Sequence, residues 1–420
     1  MWLTLLVAVW GKGNLAPAAA QSPAPYQHVV LPGDTWAALA WRFDLTPAAL
    51  QAANPHFNRQ RQPTIGAAVL IPATESVERS GVLIRVNEGG LLQTAARYHH
   101  SPWSLSLANG FAHPFYPLLY RPLFLPGGAT PPIDLPAGFH SLELSAVPSH
   151  PGEALAIRAQ VNAAVSSTIQ LAGRPFNIFT DSAESSIPSS PHPGRLVALG
   201  GTGAFFPPGD HELTVQTAGQ PLWSQPWRMV DREWGYEQLT LTGAAAAIDQ
   251  ASIIQERARL FQIWNQASPL PLWDTPFQRP IIDYLEQSGF YGSRRSYNGG
   301  PYSTYHEGVD FSAWAGTPVY APAGGTVVLA ETLYVRGGAV IIDHGLGVYT
   351  GLYHLSRVLA QPGQVVRPGD PVGEVGTTGL STGNHLHWDL LVAGTWVDAA
   401  VWLEQDIGCW VLAGLGRPCP

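Results

Sequence analysis

Two short histidine motifs near the C-terminal end hold the residue types best suited to chemistry. They are His306-Glu307-Gly308-Val309-Asp310 and His385-Leu386-His387. Together they offer imidazole and carboxylate ligands plus a spare imidazole. A catalytic zinc site needs three protein ligands, an open position for water and a base beside it. The donor set is nitrogen and oxygen, which suits Zn²⁺.

These residues must be positioned by their elements. The stretch from His385 to Val392 reads as a strand, with Leu386, Trp388, Leu390 and Val392 alternating against His387, Asp389 and Leu391. Residues two apart on a strand share a face, so His385 and His387 look into one space while Leu386 and Trp388 pack behind. His306 and Asp310 fall on one side of either a helix or a strand. Gly308 and Phe311, with no capping pattern, favour an extended segment. Further short strands are expected between glycine turns, at Thr326 to Ala330, Ala339 to Asp343, Tyr349 to Tyr353 and Val372 to Val375.

The text from about Phe290 to Leu403 resembles the lysostaphin-type zinc metallopeptidases of bacterial cell walls. The resemblance runs through His306-Glu-Gly-Val-Asp310-Phe, then Gly316-Thr-Pro-Val-Tyr-Ala-Pro-Ala-Gly-Gly325-Thr-Val. It continues through Ile342-Asp-His344-Gly-Leu-Gly347 and Leu352-Tyr-His354-Leu-Ser, and ends with Gly376-Thr-Thr-Gly379-Leu-Ser-Thr-Gly383-Asn-His385-Leu-His387-Trp. It implies Zn²⁺ ligands His306, Asp310 and His387, with His385 and His354 as the catalytic pair. All five positions match the family pattern. The two catalytic imidazoles would take the water proton, stabilise the oxyanion and protonate the leaving amine, with the roles not divided between them. His344 reads as a structural residue, and Tyr305, Tyr353 and Asn384 as packing or turn residues beside the cleft.

Composition narrows the partners. The net charge is −8, charged residues make up 12%, and Lys12 is the single lysine. With no basic run, nucleic-acid binding is not expected. Trp2 to Trp10 is apolar and Ala18-Ala-Ala20 follows, so residues 1–20 read as a signal peptide or a short anchor. No Lys or Arg precedes the apolar run, a departure from the usual signal pattern, and the run is too short for a secure membrane span. No stable span is expected elsewhere. Cys409 and Cys419 would pair as a disulfide in an exported chain.

The rest of the chain reads as smaller modules. Residues 27–73 show strand, helix, helix, strand, with Trp36, Leu39, Ala40 and Phe43 on one helical face. This is similar to the lysin motif (LysM), which implies binding of N-acetylglucosamine-containing glycans through Gly33, Asp34, Thr35, Asn54 and Ile71. Ala95 to Pro102 repeats Ala40 to Pro47, and Asn109 repeats Asn54 at the same offset. Residues 82–127 therefore read as a degenerate second copy, with Glu88-Gly-Gly90 in place of Gly-Asp-Thr. Residues 130–235 alternate between short strands and Pro/Gly turns, as in an immunoglobulin-like β-sandwich. Residues 244–268, opening with four alanines, read as a linker helix. The catalytic domain is expected over 275–405, with Arg294-Arg295 near its entrance able to meet substrate carboxylates but more commonly solvated cations, and a tail over 406–420.

The fold expectation is thus a multidomain, mainly β chain: an antiparallel β peptidase domain preceded by small α+β LysM-like modules and a β-sandwich. The function expectation is a secreted or periplasmic zinc endopeptidase acting on peptidoglycan cross-links or stems, monomeric and tethered to wall glycan. The alternatives are a catalytically silent wall-binding scaffold and a metallopeptidase acting on secreted proteins.

Overall fold

The computed structural model describes residues 26–420 except 44, 58–61, 73–80, 86–89, 110, 112, 116–121, 127–133, 163–165, 181–193 and 266–267. The signal-peptide reading at 1–20, and Glu88-Gly89 of the second lysin-like copy, lie outside the described residues. The chain is mainly β. It begins with β1 (Tyr26–Val29), α1 (Trp36–Arg42), α2 (Pro47–Ala53) and β2 (Ala68–Ile71), with β1 and β2 antiparallel. Leu39, Leu50, Val69 and Trp36 form the core of this small module. The second copy repeats the order: β3 (Gly81–Arg85), α3 (Leu91–Arg97), α4 (Pro102–Ala108) and β4 (Pro122–Pro126). In both copies the second helix opens with proline behind a hydroxyl cap, Thr46 or Ser101, as first-turn sterics favour.

Two four-stranded antiparallel sheets follow. One contains β5 (Phe139–Leu144), β6 (Ala154–Val161), β9 (Asn177–Thr180) and β10 (Gly194–Gly201). The other contains β7 (Ser167–Leu171), β8 (Arg174–Pro175), β11 (Gly209–Thr217) and β12 (Trp223–Met229). Leu142, Ile157 and Ala198 of the first share one core with Ile169, Leu213 and Trp227 of the second. Ile65, from the loop before β2, is fully buried in that same core, and the backbone around it pairs with β12 (Ile65 N to Pro226 O 2.7 Å, Arg228 N to Ile65 O 2.8 Å). The first lysin-like module is therefore docked on the sandwich.

The connection to the C-terminal part differs from the expected helix over 244–268. A strand, β13 (Tyr236–Leu239), precedes a 3-10 turn at Gly243–Ala247, and the α-helix α5 spans only Gln250–Trp264. Ile248 is extended (φ −80°, ψ 114°), and Asp249 caps a fresh helix by accepting from the Ser252 N–H at 2.8 Å. The cap outweighs the modest helix preference of the alanines. Leu260 and Trp264 bury the helix against the C-terminal domain, and buried Glu256 accepts from the N–H groups of Val335 (2.7 Å) and Arg336 (3.1 Å).

The C-terminal domain adds β14 (Glu286–Gly289), β15 (Arg294–Tyr297), β16 (Thr304–Tyr305), β17 (Gly308–Ser312), β18 (Pro318–Tyr320), β19 (Gly325–Leu333), β20 (Gly337–Gly345), β21 (Val348–Leu355), β22 (Arg357–Val358), β23 (Val365–Val366), β24 (Pro371–Glu374), β25 (His385–Val392) and β26 (Thr395–Val397). Its main sheet has the order β14-β17-β25-β21-β20-β19-β23, with β26 beside β25, and every pairing in it is antiparallel. The expected tail at 406–420 is instead packed structure. After α6 (Ala399–Glu404), α7 (Ile407–Gly414) places Val411 and Leu412 in one cluster with Ala156 and Val197 of the sandwich, and Cys409 is disulfide-bonded to Cys419. Burying each of those two aliphatic side chains contributes about 1.5–3 kcal/mol, which a free tail would forgo.

Candidate active site

The site is assembled by strand register. β17 lies antiparallel to β25, with Asp310 opposite His387 and Ser312 opposite His385. Along β25, Leu386 and Trp388 are buried while His385 and His387 sit half-buried on the other face, as their alternation requires. His306 directly follows β16, two residues before β17, and is 1% exposed. Its Nδ1–H donates to the Phe290 carbonyl (3.2 Å), which leaves the Nε2 lone pair facing the site. That Nε2 is 3.0 Å from Asp310 Oδ1 and 3.0 Å from His387 Nδ1, and His387 Nδ1 is 2.8 Å from the same Oδ1.

Three potential donor atoms, all within 4.8 Å of one another, thus converge on one point. The donor chemistry fits a metal: two imidazole nitrogens and a carboxylate oxygen are mutual acceptors unless protons or a cation lie between them. Two glycines admit this crowding. An added Cβ at Gly289, opposite Asp310 in β14, would lie 2.5 Å from Asp310 Oδ2 and 2.8 Å from His306 Cε1. At Gly308 it would meet the Trp388 carbonyl and lie 2.8 Å from His387 Nε2.

Two further imidazoles flank this cluster. His354 lies where β21 bulges: Gly338 pairs with Leu355 and Val340 with Leu352, leaving Tyr353 and His354 opposite a single residue. Its backbone is left-handed (φ +63°), a conformation that costs a non-glycine residue about 1 kcal/mol or more and aims the ring into the groove. His354 Nδ1–H donates to the Thr378 carbonyl at 2.8 Å, and His385 Nδ1–H to the Gly383 carbonyl at 2.8 Å. Both rings are thereby held with Nε2 unprotonated in the neutral form. The ring centroids are 4.7 Å apart, and His385 Nε2 lies 3.8 Å from Asp310 Oδ1. Tyr353 stacks on His387 at 5.7 Å.

The electrostatics favour neutral His354 and His387 beside an ionised Asp310. Burial, reinforced by the neighbouring His385 and His387, holds His354 well below the usual histidine range. Burial likewise lowers His387 to about 4, against the opposing pull of Asp310. Burial alone would raise Asp310, but His306 and His387 hold it well below the usual carboxylate range.

These groups line a groove of about 860 Å³. One wall comes from the loop of Leu380, Ser381, Thr382, Gly383 and Asn384. The interdomain segment also lines the groove, through Glu237, Leu239, Ile253 and Arg257. Arg257 forms an ion pair with Glu307, the residue after His306, and so ties α5 to the site. Arg295 departs from the expected solvated cation. Its side chain is 16% exposed, its Nε donates to Glu237 (2.8 Å) and its Nη2 to Asp310 Oδ2 (3.2 Å). Arg294 stacks over Phe205 and Trp234 and donates to the Ala204 carbonyl. His344 is remote from the groove. It is fully buried, bonded to the Gly324 carbonyl and the Thr350 hydroxyl, and lowered by burial to about 4. The sequence reading did not single out Gly289, Glu237, Glu256 or Glu307, because their contacts depend on pairings between distant segments.

The residues assigned by resemblance to glycan recognition are placed differently. Asp34 Oδ2 accepts from the Leu31 N–H and contacts His28 Nε2, both at 2.9 Å, and Thr35 Oγ accepts from the Ala38 N–H. Asn54 donates to the Leu50 and Leu70 carbonyls and accepts from the Leu70 N–H. Ile71 is in the module's core. Gly33 (φ +85°) donates its N–H to Gln225 Oε1 on β12 at 3.1 Å, and Gln225 Nε2 donates back to the Asp34 carbonyl at 3.3 Å.

Residues 304–399 match Peptidase family M23, and residues 28–72 match the LysM domain family. The chain therefore carries an M23 peptidase domain behind an N-terminal LysM domain. Over 94 residues it is 43% identical to the peptidoglycan DD-endopeptidase ShyA of Vibrio cholerae, covering 22% of this chain and 22% of that protein. Over 89 residues it is 43% identical to the DD-carboxypeptidase/endopeptidase Mpg of Neisseria meningitidis, covering 21% of this chain and 20% of that one. The chain thus spans about a fifth of the length of the relatives it matches. Among solved structures, the catalytic domain of the antimicrobial peptidase lysostaphin from Staphylococcus simulans aligns with a TM-score of 0.26 and 31% identity, over 29% of this chain and 92% of that one.

Proposed function

We propose that this protein is a secreted or periplasmic zinc-dependent endopeptidase that hydrolyses peptide bonds in peptidoglycan. One observation carries the reading. His306 Nε2, Asp310 Oδ1 and His387 Nδ1 converge as a ligand set, and the imidazoles of His354 and His385, each held through Nδ1 by a backbone carbonyl, flank it in an open groove. The ligands are His306, Asp310 and His387, and when bound Zn²⁺ supplies an acidified water and a polarised carbonyl. His385 and His354 work on the proton and the oxyanion. An unprotonated Nε2 accepts the proton of the attacking water. The protonated ring then donates it to the leaving amine or hydrogen-bonds the tetrahedral oxygen. The carbonyls of Thr378 and Gly383 hold both rings in the required orientation.

The similarity to ShyA, a peptidoglycan DD-endopeptidase, supports peptidoglycan as substrate, and the LysM domain supports wall association through N-acetylglucosamine-containing glycan, which would raise local substrate concentration by tethering. Among the described residues no helix is long and apolar enough to cross a membrane. The test is to incubate purified protein with isolated peptidoglycan and identify released muropeptides by mass spectrometry. New amino groups are expected, and they should vanish on chelation and return with Zn²⁺. Cleavage that persists both in chelator and in His387→Ala would exclude the zinc mechanism.

A further inference from the structure

Asp310 has two carboxylate oxygens, and the fold treats them differently. Oδ1 faces His306, His387 and, at 3.8 Å, His385. Oδ2 is turned away from that point and enclosed. Arg295 Nη2 donates to it at 3.2 Å, and Gly289 closes the other side so tightly that an added Cβ would lie 2.5 Å from it. Arg295 is itself held, because its Nε donates to Glu237 Oε2 at 2.8 Å. Glu237 lies directly opposite Arg295 in the parallel pairing of β13 with β15. β13 is part of the segment leaving the sandwich and lies outside the 304–399 match.

We propose that Arg295 is a positioning residue that locks Asp310 as a one-oxygen metal ligand, and that Glu237 makes this lock depend on the interdomain strand. This rests on the zinc reading above. The physical argument is that a carboxylate free to rotate must be ordered when it binds a cation. A guanidinium fixed at both ends removes that cost and holds Oδ2 off the metal. Groups that orient ligands in this way typically change metal affinity by about 10- to 100-fold. A consequence is that moving β13 relative to β15 would weaken the metal site without touching a ligand.

The test measures Zn²⁺ affinity of the full-length protein by competition with a chromophoric chelator. Wild type, Arg295→Met, Arg295→Lys, Glu237→Gln and His387→Ala are compared, with circular dichroism confirming the fold of each. Arg295→Met is expected to bind Zn²⁺ about 10- to 100-fold more weakly than wild type. Glu237→Gln should show a smaller loss in the same direction, and Arg295→Lys an intermediate one. Turnover of Arg295→Met should recover as Zn²⁺ is raised, with KM unchanged. Unaltered Zn²⁺ affinity in folded Arg295→Met and Glu237→Gln would overturn the proposal. So would a raised KM at unaltered affinity, which would make Arg295 a substrate anchor. If wild type fails to bind Zn²⁺, or His387→Ala binds it equally well, the zinc reading itself falls.

Discussion

The catalytic groove and the LysM loop are both built from polar residues next to glycines, yet their polar atoms end differently. In the groove, the acceptor atoms of His306, Asp310 and His387 turn toward one another, and His354 and His385 keep an Nε2 free beside them. In the LysM loop, Asp34, Thr35 and Asn54 spend their hydrogen bonds on backbone groups, on His28 and on Arg42, while Gly33 is bonded to Gln225 of the sandwich. The acceptor atoms of the first set face one another, whereas those of the second are paired within the fold, with Gly33 anchored to β12. Residue type does not separate the two cases. Hydrogen-bond saturation does.

The largest test of this contrast is removal of a ligand. His387→Ala should abolish both Zn²⁺ binding, read by chelator competition, and release of muropeptides. His385→Ala and His354→Ala should keep Zn²⁺ but lower kcat by about 10²- to 10⁴-fold, the usual worth of general acid–base catalysis, with a smaller change in KM. Loss of Zn²⁺ in either variant would move that histidine into the ligand set.

The next effect concerns pH and the packed histidine outside the groove. Burial lowers His344 from the ordinary histidine value of 6.5 to about 4. The unfolded chain takes up a proton as pH falls below 6.5 while the folded one does not, so stability is lost between pH 6.5 and 4, by roughly 3 kcal/mol. Asp389 acts in the opposite sense. Burial raises it to about 6, so its contribution is present at low pH and is lost as pH rises from 3.8 toward 6. Urea denaturation of wild type and His344→Gln at pH 7 and pH 4.5 isolates the histidine. Wild type should lose more stability on acidification than the variant.

On the LysM side the expected effects are on stability. Asn54→Ala leaves the Leu70 N–H and two carbonyls without their partner and should cost about 1–3 kcal/mol in denaturant titrations. Gln225→Ala should cost about 1 kcal/mol and free the Gly33 loop. Retention on insoluble glycan should rise if that loop meets sugar once freed. Unchanged retention would make it purely structural.

The groove was largely legible in the sequence because its chemistry sits in short local patterns. The alternation from His385 to Val392 gave a strand with those bounds, and the extended reading of the segment after His306 matches β17. What was not legible depends on register between distant segments. Gly289 opposite Asp310 and Glu237 opposite Arg295 come from pairings that no local pattern encodes, so Arg295 read as a solvated cation. The four alanines read as a helix start because propensity is local, whereas Asp249 moves the start to Gln250. Cys409 and Cys419 read as a pair from the sequence, but the burial of α7 against the sandwich depends on contacts with Ala156 and Val197 far upstream.

The most direct test of the central claim is a Zn²⁺ titration of metal-free full-length protein on isolated peptidoglycan, with released muropeptides counted by mass spectrometry. Product should rise with Zn²⁺, level off near one equivalent and stay absent in His387→Ala. Equal product without metal, or from His387→Ala, would contradict the account.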